Sequence, residues 1–186
     1  MRIVAGSLGG RSLAALGKGD AAAHLRPTTD RVRESLFNVL AGGAFGDPLD
    51  GAAVLDLFAG TGALGIEALS RGAASARFVE NGRKGQALVA KNLAALGLGD
   101  RATLLRADAT RLGRSEIASD LVFLDPPYGA GLGERAMSAA IAGGWIAPGA
   151  LIVWEEATAP ILPQELVLLD RRRYGDTTIT LARYLE

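Results

Sequence analysis

The sequence predicts an α/β fold: a doubly wound, mostly parallel sheet with an antiparallel C-terminal strand and a small amino-terminal β-hairpin extension. Three observations carry that prediction. From residue 52 onward, short apolar runs alternate with helical stretches, the pattern of a parallel sheet covered on both faces. A glycine turn, Gly60-Thr61-Gly62-Ala63-Leu64-Gly65, joins one such run to a helix. Four acids, Asp56, Glu80, Asp108 and Asp125, fall at or near the carboxyl ends of successive strands, where ligands of these sheets bind.

The elements follow in order. Residues 2–5 and 11–14 flank Gly6-Ser7-Leu8-Gly9-Gly10 and read as a hairpin. Residues 15–25 are Gly- and Ala-rich and polar, hence a loop. Pro27-Thr28-Thr29-Asp30 opens a helix that Thr28 or Thr29 can cap. Val32, Leu36, Val39 and Leu40 recur in it at helical spacing, and Gly42-Gly43 ends it. Strands are predicted over 53–58, 76–79, 103–106, 121–124 and 150–154. Helices are predicted over 63–70, 86–96 (stopped by Gly97) and 134–141, with a short helical stretch near Arg111. Residues 165–169 and 177–184 read as a closing antiparallel pair.

Bulk properties narrow the function. A chain of 186 residues fits one domain with a small appendage. Hydrophobic content of 49% and charged content of 22% fit a soluble protein. No apolar run approaches the ~20 residues of a membrane span, and the start of the chain lacks a signal-peptide stretch. With no cysteine, disulfides, thiolate metal sites and cysteine nucleophiles are excluded. The expectation is a cytoplasmic monomer with no membrane contact and no metal site. Net charge is zero, which argues against indiscriminate nucleic-acid binding, but the distribution is uneven. Residues 1–33 hold six basic residues against two acidic ones, a net +4. Arg171-Arg172-Arg173 forms a second basic cluster, either a solvated edge or an RNA contact.

The glycine turn satisfies G-x-G-x-x-G, with Glu80 at the end of the next strand placed to accept from ribose hydroxyls. By itself this also fits a nicotinamide dehydrogenase, or a tight turn that only packs a helix. Two residues shift the reading to S-adenosylmethionine. Asp56 and Phe58 precede Gly60 and Gly62 in D-x-F-x-G-x-G. That carboxylate repels a pyrophosphate and suits a ligand carrying an ammonium and a sulfonium. Asp108 can accept from an adenine amine, the alternative being a cap for the helical stretch after it.

Asp125-Pro126-Pro127-Tyr128 follows the apolar strand 121–124. The lone pair of an exocyclic amine is delocalised into its base ring. Acceptors on the amine's two hydrogens localise that pair; Asp125 supplies one and the Pro126 carbonyl another, with Pro126 and Pro127 stiffening the backbone. Asp125 can also take up the proton, and Tyr128 can stack on the base.

The pairing of D-x-F-x-G-x-G with D-P-P-Y resembles the amino-methyltransferases of exocyclic nitrogens. Residues 26–38, R-P-T-T-D-R-V-R-E-S-L-F-N, resemble more specifically a signature of the bacterial 16S rRNA guanine-N2 methyltransferases of the RsmD-like family. Arg2-Ile3-Val4-Ala5-Gly6 with Gly10-Arg11, and residues 62–72, G-A-L-G-I-E-A-L-S-R-G, are similar to it as well. The resemblance implies a Rossmann-like methyltransferase fold over residues 26–186, with residues 1–25 as a hairpin and basic extension. It implies S-adenosylmethionine as donor and N2 of a small-subunit rRNA guanine as acceptor. The ribosomal particle, assembled or assembling, is the implied partner, and a flipped or unstacked nucleotide the target. By motif, Asp56, Phe58, Gly60 and Gly62 hold the methionine side, Glu80 the ribose, Asp108 the adenine, and Asp125, Pro126, Pro127 and Tyr128 the target base. Arg2, Arg11, Arg26, Arg31 and Arg33 would contact RNA. The sequence departs from the family at Asn81-Gly82, where an apolar or acidic pair is usual.

Rival readings remain. An adenine-N6 methyltransferase shares the chemistry, although a DNA enzyme normally adds a recognition domain. A methylase of protein glutamine usually has Asn in place of Asp125. A non-catalytic RNA-binding module and a dehydrogenase are rivals of other classes. Trp145 and Trp154 are read as packing residues, His24 as a loop residue, and Glu155-Glu156 as a strand end of open role.

Overall fold

The structure, a computed structural model, describes residues 1–15 and 30–185. The predicted loop 15–25 beyond Ala15, the Thr28 and Thr29 caps, His24 and Arg26 lie outside the described residues. Seven strands form one sheet in the order β3-β2-β1-β4-β5-β7-β6. They are β1 (Ala53–Leu57), β2 (Ser75–Val79), β3 (Ala102–Leu105), β4 (Ser119–Leu124), β5 (Ile146–Glu156), β6 (Leu166–Tyr174) and β7 (Thr177–Tyr184). The first five pair in parallel, and β7 runs antiparallel between β5 and β6. Helices α1 (Asp30–Ala41), α2 (Ala63–Ser70), α3 (Arg83–Leu96) and α4 (Leu132–Ala142), with a 3-10 turn at Ala109–Arg111, complete the chain.

Strand alternation explains the two layers. Successive side chains point to opposite faces. Val54, Leu121, Phe123, Leu151 and Val153 therefore join α1, α2 and α3 in one core. Leu55, Leu57, Val122, Leu124, Ile152 and Trp154 join α4 in the other. Such strands are apolar on both faces, as a doubly covered sheet requires. Phe37 of α1 meets Phe123 with ring centroids 5.6 Å apart. Both tryptophans pack as expected: Trp154 is buried in the α4 core, and Trp145 lies under Arg77, 4.8 Å from the ring centroid.

The C-terminal pair is longer than the periodicity suggested. Strand β6 runs on through Arg171-Arg172-Arg173, which are exposed on the sheet's outer strand. Its apolar run ends near Leu169, but β7 continues to supply backbone partners up to the Tyr174–Thr177 pair. A strand with exposed side chains needs no apolar alternation.

The amino-terminal hairpin forms, tied by Ile3 N–H to the Arg11 carbonyl (2.9 Å) and Gly10 N–H to the Ile3 carbonyl (2.8 Å). Ile3 and Leu13 enter the α1–α3 core. Gly6 sits at φ +82°, and a Cβ there would lie 2.0 Å from the Ser70 carbonyl oxygen, so only glycine permits this approach to α2. Buried Glu67 of α2 accepts from the N–H groups of Val4 (2.8 Å) and Ala5 (3.0 Å) and from Arg71 Nε (2.8 Å).

Here the structure corrects one expectation. Arg33 is 0% exposed and has no surface to offer a phosphate. Its guanidinium donates to Asp30 Oδ1 (2.8 Å) and to the Arg2 carbonyl, and its Nε lies 3.7 Å from Glu67 Oε2. It joins α1, the hairpin and α2. Arg2, Arg11 and Arg31 are exposed.

Removing one partner of a buried ion pair strands the other charge, at a cost of about 3–5 kcal/mol. Glu67 keeps Arg71, so Arg33→Met is expected to lose stability near the lower end, about 3 kcal/mol, in urea denaturation. Arg31→Ala, on the exposed face, should stay within ~0.5 kcal/mol of the wild type. Equal losses in the two variants would contradict the division of roles.

Candidate functional site

Strand β1 lies between β2 and β4. The chain passes from β1 outward to β2 and β3, then returns to β4 on the other side of β1. That reversal is a switch point, where the crossover connections diverge and leave a crevice beyond the strands' carboxyl ends. The register pairs Leu57 with Leu124, and Asp125 N–H donates to the Leu57 carbonyl at 3.4 Å. The glycine turn after β1 and Asp125-Pro126-Pro127-Tyr128 after β4 are thus neighbours on one edge.

The turn is shaped by backbone geometry. Phe58 has φ +61°, the one non-glycine residue with positive φ among the described residues. Such a conformation costs on the order of 1–3 kcal/mol and points to a functional constraint. Gly60 and Gly62 also have positive φ, 58° and 79°. Ala59 N–H reaches the Val79 carbonyl (3.0 Å), fixing the turn to β2.

Glu80, buried just past β2, grips this turn. Its Oε2 accepts from Gly60 N–H (2.8 Å) and its Oε1 from Gly82 N–H (2.7 Å). That second bond brings the Glu80 carboxyl close to residue 82. A Cβ on residue 82 would sit 3.0 Å from Glu80 Oε1, tighter than ordinary contact.

Asp56 is 2% exposed, and its Oδ2 accepts from Gly65 N–H at 3.0 Å. Gly65 lies in the first turn of α2, whose N-cap, Gly62, has no side chain to cap it. The carboxyl of Asp56 does from the sheet what a capping side chain does locally. Gly65 must be glycine: a Cβ there would lie 2.4 Å from Phe78 Cε1 and 3.1 Å from Asp56 Oδ2. Burial pushes the Asp56 pKa from the ordinary 3.8 up to about 8, with the Gly65 bond opposing and the Glu80 charge adding.

Asp108 follows β3 and caps the 3-10 turn. Its Oδ1 accepts from Thr110 N (2.9 Å) and Thr110 Oγ1 (2.7 Å), bonds that hold its carboxyl below the usual range. The capping alternative weighed for Asp108 is therefore realised, and both bonds use the same oxygen.

At the other tip Pro126 is buried, Asp125 half-buried, and Pro127 and Tyr128 exposed. The Tyr128 hydroxyl lies 3.3 Å from Glu155 Oε1 and 3.0 Å from Thr177 Oγ1. Sequence reasoning missed Thr177 and left Glu155 open, because partners on β5 and β7 have no spacing signature relative to residue 128. It also missed Asn92 of α3. That side chain accepts from Ala14 N (2.7 Å) and donates to the carbonyls of Ala14 (3.1 Å) and Thr61 (2.9 Å). The hairpin is thereby wired to the glycine turn.

A cleft of about 270 Å³ beside Asp120 and Arg183 lies at the opposite edge of the sheet and touches none of these motifs. The chemistry-bearing residues gather at the switch point instead.

The strand order, the switch-point crevice and the two adjoining tips define a Rossmann-like methyltransferase fold. The family model described as "Conserved hypothetical protein 95" matches residues 1–183. Ribosomal RNA small subunit methyltransferase D of Escherichia coli K12 is 42% identical over 139 residues, covering 75% of this chain and 68% of that protein. The protein of the same name from Haemophilus influenzae is 36% identical over 181 residues, covering 94% and 89%. The solved structure of the Escherichia coli protein yhhF, described as a methyltransferase, superposes with a TM-score of 0.82 at 38% identity, over 100% of this chain and 98% of that one. This chain belongs to the ribosomal RNA small subunit methyltransferase D family.

The buried acid gives a pH prediction. Folded Asp56 keeps its proton up to about 8, whereas an unfolded aspartate releases it near 3.8. Between those values the folded state binds more protons, so stability falls as pH rises. Asp56→Asn retains an acceptor for Gly65 N–H and has no charge to bury. Its stability relative to the wild type should therefore rise by up to about 3 kcal/mol from pH 5 to pH 8, read from urea denaturation at both values. Parallel curves for the two proteins would exclude a buried, proton-holding Asp56.

Proposed function

We propose that this protein transfers a methyl group from S-adenosylmethionine to the exocyclic N2 of a guanine in small-subunit rRNA. The observation that carries the reading is the adjoining of the two tips through the Leu57–Leu124 register. Family membership supports the reaction class, and the chemistry of the residues supports the roles below.

The residues present fit the cofactor. The turn around Gly60 and Gly62 presents backbone rather than side chains, and two buried carboxylates, Asp56 and Glu80, flank it. Asp56 would receive the methionine ammonium, and a cation there would favour its ionised form. Glu80, already aligned by two backbone N–H groups, would accept from the ribose hydroxyls. Asp108, oriented by Thr110, would accept from the adenine amine. Phe58 would lie against the methionine side. When bound, S-adenosylmethionine supplies an electrophilic methyl carbon on a sulfonium.

The second tip handles the nucleophile. Asp125 and the Pro126 carbonyl would accept the two amine hydrogens and turn the nitrogen lone pair out of conjugation. Asp125 would take the proton that the nitrogen sheds. The Tyr128 ring would stack on the base, and Pro127 would keep the backbone acceptor in place. Guanine presents N1–H beside N2, so a carboxylate's two oxygens can accept both donors. Arg2, Arg11 and Arg31, with Arg26 of the adjoining segment, would contact rRNA phosphates. Residues 1–25 would act as the docking extension of the domain spanning 26–186. A small-subunit particle, assembled or assembling, would supply the remaining contacts of a monomeric enzyme acting in the cytoplasm. Among the described residues no helix is long and apolar enough to cross a membrane.

Two experiments test this. Labelled S-adenosylmethionine is incubated with undermethylated small subunits, naked rRNA, tRNA and DNA, followed by nucleoside digestion and mass analysis. N2-methylguanosine from the small-subunit substrates is expected; N6-methyladenosine would replace the guanine reading with its rival. Asp125→Ala should lower turnover by ~10²–10⁴ while cofactor affinity by calorimetry stays within a few-fold. Full turnover in that variant would remove Asp125 from the chemistry.

A further inference from the structure

Tyr128 is the most exposed aromatic ring at the site, yet its hydroxyl is anchored. A tyrosine hydroxyl carries one donor and two acceptor positions, and a carboxylate only accepts. Tyr128 Oη therefore donates to Glu155 Oε1 at 3.3 Å, and the Thr177 hydroxyl, at 3.0 Å, donates to Tyr128. Glu155 is buried near the end of β5, and Thr177 opens β7. The two anchors sit on paired strands: Glu155 is opposite Ile179, two residues beyond Thr177. The ring is thus held at its tip by the sheet and at its base by Pro126-Pro127. Burial, together with the charges of Glu155 and Asp125, pushes the phenol up to about 12, so it remains a donor throughout the working range.

We propose that Glu155 and Thr177 are positioning residues that lock the Tyr128 ring in the pose that receives the target base, an inference resting on the reading of Asp125–Tyr128 as the base-binding tip. A ring free to rotate about χ1 and χ2 must be ordered each time a base enters. A ring already fixed at both ends meets the base with that ordering done, which lowers KM rather than speeding the methyl transfer itself. The polar tip also explains tyrosine here. Phenylalanine has the same stacking face but nothing for β5 and β7 to hold.

A double-mutant cycle in undermethylated small subunits tests this. Thr177→Val keeps the shape and removes the donor; Tyr128→Phe keeps the ring and removes both bonds. Thr177→Val should raise the KM for subunits roughly three- to tenfold, the size of effect of a lost neutral hydrogen bond, and Tyr128→Phe, which also loses the bond to the Glu155 carboxylate, at least as much. Cofactor affinity and thermal midpoint should hold. In the double variant the effects should not multiply, because Thr177 acts only through the Tyr128 hydroxyl. Glu155→Gln, which retains an acceptor oxygen, should lose less than Glu155→Ala. An unchanged KM in Thr177→Val overturns the proposal. So do multiplying effects in the double variant, which a mere packing role for β7 would give, and equal losses in the two Glu155 variants. Asp125→Ala run alongside separates the levels. Wild-type turnover there sinks the base-binding reading itself. Impaired Asp125→Ala beside unaffected Thr177→Val sinks only the positioning role.

Discussion

The parallel pairing of β1 with β4 is the constraint on which the site depends. Two strands that are neighbours in the sheet are far apart in the chain, with α2, β2, α3, β3 and the 3-10 turn intervening. Parallel pairing forces both to end at the same edge, and the Asp125 N–H bond to Leu57 carries the pairing one residue past the last strand register. Everything chemical is built on those two ends. Slipping β4 by a single residue would exchange its two faces. Phe123 would then leave α1, and Asp125 would turn toward the opposite layer.

Carboxylates gather at that edge for different physical reasons. Glu80 is compensated by two backbone N–H groups and holds the turn shut. Asp56 has one such bond and deep burial, so it keeps a proton when no cation is near. Glu156, beside Glu134, is likewise raised, first by burial and then by its like-charged neighbour. With Asp56 and Glu156 both raised by burial, this edge is poised for a ligand of positive charge. It is a poor place for a diphosphate, which could approach Asp56 only while that acid stays protonated and would still meet the Glu80 carboxylate.

Much of this was legible in the chain. The helix 63–70 and the glycine turn that opens it read directly, because local backbone chemistry decides them. Asp125 through Tyr128 read directly because two prolines after an apolar run have few structural uses. What was not legible is what tertiary packing assigns. Arg33 sits in a basic stretch and looks like its neighbours Arg31 and Arg26. Only the helical phase of α1 against α2 sends it inward to Glu67 while Arg31 points out. The second half of strand β6 is hidden for a similar reason: its basic residues pair through backbone atoms that carry no side-chain signal.

The least legible feature bears most on how the parts act together. The signature helix α1 and the Asp125–Tyr128 tip both lean on the β6–β7 hairpin. Ser35 of α1 donates to the Tyr174 hydroxyl at 3.1 Å, and Tyr174 is the register partner of Thr177, which holds Tyr128. On the other side, Asn92 ties Ala14 to the glycine turn, and Arg33 ties Arg2 to α1 and α2. The amino-terminal segment therefore reaches the glycine turn through α3 and the Asp125–Tyr128 tip through α1, β6 and β7. A hairpin attached at one point could be deleted with only local effect. One attached at both halves of the site shares its order with them, because loosening α1 frees Tyr174 and Arg2 together. On this arrangement the amino-terminal hairpin is part of the scaffold that sets the edge where the two tips meet.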